Sequence, residues 1–258
     1  MRELFEEVFG GPPRDPQEAA RQSSRAPLRK RFYKEASVGE ADGGGYMLLL
    51  DGKAVKTPSR KVLVVPTREL ADIMAAEWNA QGEALDPMSM PMTRLGNSVV
   101  DGVLGKEQAV ADDLAKYFAT DLLFYRAGHP ESLVARQAAH WDPVLDWARD
   151  ELGAHFILTE GIMHVQQPEA ALAAARAALP DEAWRVAAMH LVTTVTGSAL
   201  LALALHQGAR DAEEVWAAAN VDEDWNFETW GADEEAQARR AAAQRDYGAA
   251  ATVLKLLA

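Results

Sequence analysis

The segment YMLLLDGKAVKTP at residues 46–58 decides the fold of the first part of the chain. Asp51-Gly52 stands between the apolar run Leu48-Leu49-Leu50 and Lys53-Ala54-Val55. A two-residue type I′ turn needs positive φ at both central positions, and Asp-Gly supplies it, so the segment predicts a β-hairpin. Upstream, RFYKEASV leads into a second strand through the loop GEADGGG, where Gly43, Gly44 and Gly45 read as a loop tip. Downstream, Pro58-Ser59 turns the chain into RKVLVVP, whose β-branched residues suit a buried strand. Residues 31–65 therefore predict an antiparallel meander of three to four strands.

Helical periodicity takes over after Pro66. Thr67 can cap RELADIMAAEWNAQ, with Glu69 in the first turn, Leu70, Ile73, Met74 and Trp78 on one face, and Gly82 at the end. The extended LDPMSMP precedes a helix expected over residues 92–103 and another over 106–118, with Val110, Leu114 and Tyr117 on one side. DLLFYRA reads as a strand or extended crossover, and HFILTEGIMHVQQ as a small hairpin turning at Glu160-Gly161. Between them, Val134, Gln137, Trp141, Leu145, Ala148 and Leu152 form a helical stripe. Pro143 interrupts it, so Asp142 is expected to cap a second helix there. The alanine-rich last third predicts further helices, ending in a charged one over about residues 233–256. The expected class is α+β: a tail at 1–28, a β-rich unit at 29–104 and a helical unit at 105–258.

Composition narrows the function. The 258 residues include no cysteine, which removes disulfides, thiolate nucleophiles, iron–sulfur clusters and cysteine zinc sites. A net charge of −13 repels nucleic acid and anionic lipid and suits a soluble monomer. The apolar run LVTTVTGSALLALAL at 191–205 is shorter than the ~20 residues of a spanning helix and reads as a buried core helix. Within it, Gly197-Ser198-Ala199 is expected to allow close helix packing, and Thr193, Thr194 and Thr196 to return their hydroxyls to the backbone. The N-terminus lacks a signal-peptide pattern, and Glu3, Glu6 and Glu7 speak against a mitochondrial presequence. Bacterial cytoplasm is the expected location, or the mitochondrial matrix in a eukaryote.

Catalytic motifs are absent. No glycine-rich stretch ends in Gly-Lys-Ser/Thr, and no GxGxxG separates a strand from a helix. The six histidines form no HExxH or HxH pair, and His140 and His190 sit at expected core or boundary positions of helices. No GxSxG elbow is present, and Asp112-Asp113 and Glu213-Glu214 read as solvated helix faces. No cofactor, metal or catalytic residue is expected. The exceptional segment lies between Asp211 and Glu235: ten acids and no lysine or arginine, interleaved with Trp216, Trp225, Phe227 and Trp230. Such a pattern fits either a helix with its aromatics in the core or a binding surface of tryptophan anchors with an acidic rim.

An ordered set of motifs resembles the assembly chaperones of the F1-ATPase α subunit. It runs from Arg31-Phe32-Tyr33-Lys34, Leu50-Asp51-Gly52-Lys53 and Lys56-Thr57-Pro58 to Glu77-Trp78-Asn79-Ala80-Gln81. Met90-Pro91-Met92-Thr93-Arg94-Leu95, Asp101, Thr120-Asp121 with Leu122-Leu123-Phe124, Trp141-Asp142-Pro143 and VDEDWNFETWGADE at 221–234 continue it. Trp225-Asn226 stands where the family usually has Phe-Gln, and Glu235-Ala236-Gln237 where it has His-Asp. The resemblance implies a non-enzymatic chaperone that binds unassembled α subunit and shields its β-facing surface. It implies client contacts at Glu234, Trp230 and Gly231, rimmed by Glu223, Asp224 and Trp225. The competing reading is a small-molecule hydrolase or transferase with an acidic cleft between the two units.

Overall fold

In the computed structural model, residues 28–231 and 233–258 are described. They form two compact units that divide between Leu104 and Gly105. The expected tail, apart from Leu28, lies outside the described residues.

The first unit contains a four-stranded antiparallel sheet. Strands β1 (Ala36–Glu40) and β2 (Tyr46–Leu50) pair from Ala36↔Leu50 to Glu40↔Tyr46. On the other side of β2, β3 (Lys53–Ala54) and β4 (Val64–Val65) pair with opposite ends of it. The Asp-Gly hairpin forms with φ +47° at Asp51 and +77° at Gly52. Gly45 has φ +82°, and a Cβ there would stand 2.7 Å from the Val65 carbonyl oxygen. The expected first strand is shorter than its sequence pattern. Residues 31–35 stay outside the sheet, and the Lys34 and Glu35 amides donate to the Asp51 carboxylate instead.

Helix α1 (Arg68–Asn79) starts where Thr67 accepts from the Leu70 amide at 3.3 Å. Its Leu70 and Met74 are buried with Leu48, Leu63 and Val65 of the sheet region, whereas Ile73 and Trp78 are half-buried. Gly82 is not its cap: the helix ends at Ala80, which has ordinary right-handed geometry. Glu77 then reaches the start of α2 (Pro91–Ser98) and accepts from the Met92 amide, the Thr93 amide and the Thr93 hydroxyl at 2.7–2.8 Å. These amides are orphan donors of a helix whose own N-cap, Met90, provides no side-chain acceptor. The helix widens into a π-turn at Val99–Val103, and Asp101 within it accepts from Thr57 Oγ1 and the Ser59 amide.

The second unit is helical. It begins with α3 (Glu107–Ala115), on which Leu114 is buried and Asp113 contacts buried His190. DLLFYRA is neither a strand nor a crossover throughout: Leu122–Phe124 form a 3-10 turn, and only β5 (Tyr125–Arg126) is extended. Helix α4 (Glu131–Leu152) runs through Pro143 unbroken. Burial of Trp141 and Val144 on either side of the proline offsets the hydrogen bond it removes. Asp142 is therefore no cap and instead pairs with Arg126 at 2.6 Å. His140 on this helix is exposed rather than in the core.

The expected hairpin at 155–167 does not form. Strand β6 (Thr159–Glu160) pairs in parallel with β5. After α5 (Glu169–Ala177), the long apolar run proves to be two helices, α6 (Ala183–Thr196) and α7 (Ala199–His206). Gly197, at φ +73°, ends the first, and Ser198 caps the second by accepting from the Leu201 amide at 3.0 Å. The small residues thus break the helix instead of tightening its packing. Thr194 and Thr196 return their hydroxyls to the backbone at 2.8 Å, but buried Thr193 Oγ1 finds no partner among the described residues. Helices α8 (Ala212–Ala219), α9 (Val221–Trp230) and α10 (Glu234–Leu256) complete the unit, with α10 packed along α6.

Asp121 ties this unit together. Fully buried, it accepts from the Leu200 amide of α7 at 3.0 Å, from the Leu123 amide at 3.1 Å and from the Ser198 hydroxyl. Burial pushes its carboxyl up to about 6, against those hydrogen bonds, which favour the anion.

Two outcomes are expected. Glu77→Ala leaves the α2 amides unpaired and costs about 2–3 kcal/mol in urea unfolding. Asp121 binds its proton more tightly folded than unfolded, so its contribution to stability is full below about pH 4 and declines as pH rises through about 6. Urea unfolding at a series of pH values should show the advantage of wild type over Asp121→Asn shrinking by on the order of 2–3 kcal/mol across that window.

Candidate functional site: the junction of α9 and α10

Helix α9 carries the acidic, aromatic segment, and its first turn holds Asp222, Glu223 and Asp224 near the positive end of the helix dipole. Only Val221 of this helix is fully buried. The aromatics divide between the two readings. Trp216, on α8, packs against Tyr247 with ring centroids 5.1 Å apart. Trp225 is half-buried, and its Nε1 donates to Ser132 Oγ at 3.2 Å. Phe227 lies under the Arg240 guanidinium, 5.6 Å from its ring centroid. Trp230, the last residue of α9, is 80% exposed.

The acids divide as well. Although the segment itself has no cation, the fold brings arginines from other helices. Arg240 of α10 pairs with Glu223 and Asp224, and Arg136 of α4 holds Glu228 through two hydrogen bonds of 3.0 and 2.7 Å. Asp222 accepts from Gln137 at 2.7 Å, and Glu235 pairs with Arg239 at 2.6 Å. Asp211 and Glu214 form a capping box at the start of α8, and Asp233 caps α10 by accepting from the Ala236 amide at 2.6 Å. Of the ten acids, only the carboxylates of Glu213 and Glu234 have neither a side-chain nor a backbone partner among the described residues. Glu223 and Asp224 are thus a partly neutralised flank, less of an open rim than their sequence suggests.

The chain turns between the helices at Gly231, whose amide donates to the Phe227 carbonyl at 2.9 Å. Its φ of +82° with ψ of 162° is a conformation essentially restricted to glycine. Trp230 closes one helix and exposed Glu234 opens the next. Trp230 and Glu234 are both exposed and flank Gly231 in the chain, whereas Glu223, Asp224 and Trp225 are bound to other helices of the unit. The residues missed in the sequence were Ser132, Arg136 and Arg240. Only the excess of acid in 211–235 hinted that cations from elsewhere would be required.

Among the described residues, no group of three histidine or acidic side chains is placed to hold a metal ion. No helix there is long and apolar enough to cross a membrane. The open grooves of the second unit include one of about 320 Å³ beside Asp142, Arg149 and His155.

A family model described as ATP12 chaperone protein matches residues 30–149. The mitochondrial protein atp12 of Schizosaccharomyces pombe is 23% identical over 223 residues, covering 81% of this chain and 76% of the yeast protein. Atp12 of Paracoccus denitrificans superposes with a TM-score of 0.79 at 38% identity, over 88% of this chain and 98% of that one. The Atu1473 protein of Agrobacterium tumefaciens, a chaperone candidate, superposes with a TM-score of 0.84 at 48% identity, over 100% of this chain and 97% of that one. With the α+β architecture and the ordered motifs, these similarities make this chain a member of the ATP12 family of chaperones for ATP synthase assembly.

Proposed function

We propose that this chaperone binds the unassembled α subunit of F1 through the α9–α10 junction and shields the surface the β subunit later covers. A lone α subunit exposes a large interface patch, and such a patch is an aggregation hazard. A shield must cover it and later yield, which needs contact area but no bond chemistry. The observation that carries this reading is the pairing of an almost fully exposed Trp230 with Glu234, an acid with no partner among the described residues. Gly231, at φ +82°, follows Trp230 directly in the chain, and Glu234 opens the next helix. Exposing so large an aromatic ring is unfavourable in isolation, and tryptophan is enriched among residues that dominate binding energy. Glu234 then offers its carboxylate to a basic or amide-donating group of the client, while Gly231 holds the spacing. Glu223, Asp224 and Trp225 support this edge from behind. The chaperone acts as a monomer, without cofactor or catalysis. Its compartment is the bacterial cytoplasm, or the mitochondrial matrix in a eukaryotic setting.

Light scattering of purified F1 α subunit, with and without the chaperone, tests the assignment. Wild type should suppress aggregation, and Glu234→Lys or Trp230→Ala should weaken capture by at least about tenfold. Their unfolding midpoints should stay near that of wild type, since both side chains are exposed. Unchanged capture by both variants would show that the junction is not the client site.

A further inference from the structure

A second surface of the helical unit has apolar side chains where a loop tip is ordinarily polar. After β6 the chain turns at Gly161, with φ +78°, and then presents Ile162 at 93% exposure and Met163 at 73%. Ile157 and Leu158, at the other end of the same loop, are 45% and 43% exposed. The loop is built to hold this form. Buried Gln167 clamps its two ends: its Oε1 accepts from the Ile157 amide at 2.8 Å, and its Nε2 donates to the Ile157 carbonyl at 2.9 Å. The Gly161 amide donates to the Arg126 carbonyl at 2.9 Å, and the pairing of β6 with β5 anchors the near side. Fixed backbone and exposed apolar side chains together give a preformed contact surface, which loses little conformational freedom on binding.

We propose that the 157–163 loop is a second client-binding element, which packs against an apolar part of the F1 α-subunit surface. This rests on the α-subunit reading given above. The charge pattern selects this occupant over others. Glu160 is the only formally charged residue in the segment 155–167, so the loop fits an uncharged, apolar face. The net charge of −13 opposes docking on an anionic membrane and opposes self-association of two copies. An assembly chaperone, by contrast, meets a partner that exposes apolar interface until assembly. The loop adds apolar contact area that the acid-flanked Trp230 edge does not supply.

The test uses the full chain carrying Ile162→Ser with Met163→Ser, and a control carrying Ile162→Leu with Met163→Leu. Affinity for purified F1 α subunit is measured by light-scattering titration and oligomeric state by analytical ultracentrifugation. Binding to phosphatidylcholine vesicles is measured by co-sedimentation. The expected result is a loss of affinity of tenfold or more for the serine pair, near-wild-type affinity for the leucine pair, and equal unfolding midpoints. Wild-type affinity in the serine pair, with wild type still capturing the α subunit, overturns the loop proposal and leaves the α-subunit reading standing. Failure of wild type itself to capture the α subunit overturns both. A wild-type dimer that the serine pair converts to monomer assigns the loop to a second copy, and vesicle binding lost in the serine pair assigns it to lipid; either result overturns the proposal.

Discussion

The buried carboxylate of Asp121 is the interaction on which the helical unit depends. Residues 191–205 could form one continuous apolar helix by periodicity, yet the chain breaks at Gly197 and Ser198 and restarts as α7. A helix start buried in a core leaves amide donors that water cannot reach. Asp121, from a turn 79 residues earlier, accepts from the Leu200 amide, while Ser198 accepts from that of Leu201. Desolvation raises the cost of the anion, and the donors around it lower that cost. The helix break that precedes buried Leu200, Leu201 and Leu203 is therefore stabilised by this acid in this place. Glu77 plays the corresponding part in the first unit, where it caps α2 from α1.

These two carboxylates change the meaning of the family's motifs. Glu77, Trp78, Asn79 and Gln81 all spend their polar atoms inside the first unit: Asn79 exchanges two 2.8 Å hydrogen bonds with Ala36, and Trp78 donates to Thr93. Asp51, Asp101, Asp121 and Trp141 do likewise within their own units. Motifs of this kind mark a fold, since removing any one side chain strands a hydrogen-bonding partner within its unit. Trp230 and Glu234 belong to the same ordered set but have no such duty. What distinguishes them is that neither side chain has a hydrogen-bond or ion-pair partner among the described residues, and that distinction cannot be drawn from the motif order alone.

Much of the architecture was legible because it follows from local chemistry. Asp51-Gly52 dictated a turn that only positive φ satisfies, and Thr67 marked a helix start through its hydroxyl. The failures share one cause: long-range partners. Pro143 ought to break a helix, but the burial of Trp141 and Val144 holds it together. The 191–205 run ought to be one helix, but a distant aspartate stabilises a break. The 155–167 segment ought to be a hairpin, but its strand finds β5 in parallel and Gln167 ties the loop. At the candidate site, the composition of 211–235 was plain in the sequence, whereas the arginines that neutralise most of its flank lie on α4 and α10.

That neutralisation alters how the α9–α10 edge can recognise a client. An uncompensated row of ten acids would act mainly through its field, and rim charges of that sort chiefly set association rates. With Glu223, Asp224, Glu228 and Glu235 paired to arginines, the net field of the edge is weaker than its acid count suggests, and ion pairs so exposed add little to stability. Under the proposed client contact, its strength would then fall on desolvation of the Trp230 ring, with Glu234 providing direction through a single carboxylate. Recognition of this kind is local and geometric. In that proposal it would depend on Gly231, whose backbone conformation disfavours a side chain, more than on the total charge of the segment. The glycine between the tryptophan and the acid is thus as much a part of the candidate site as either side chain.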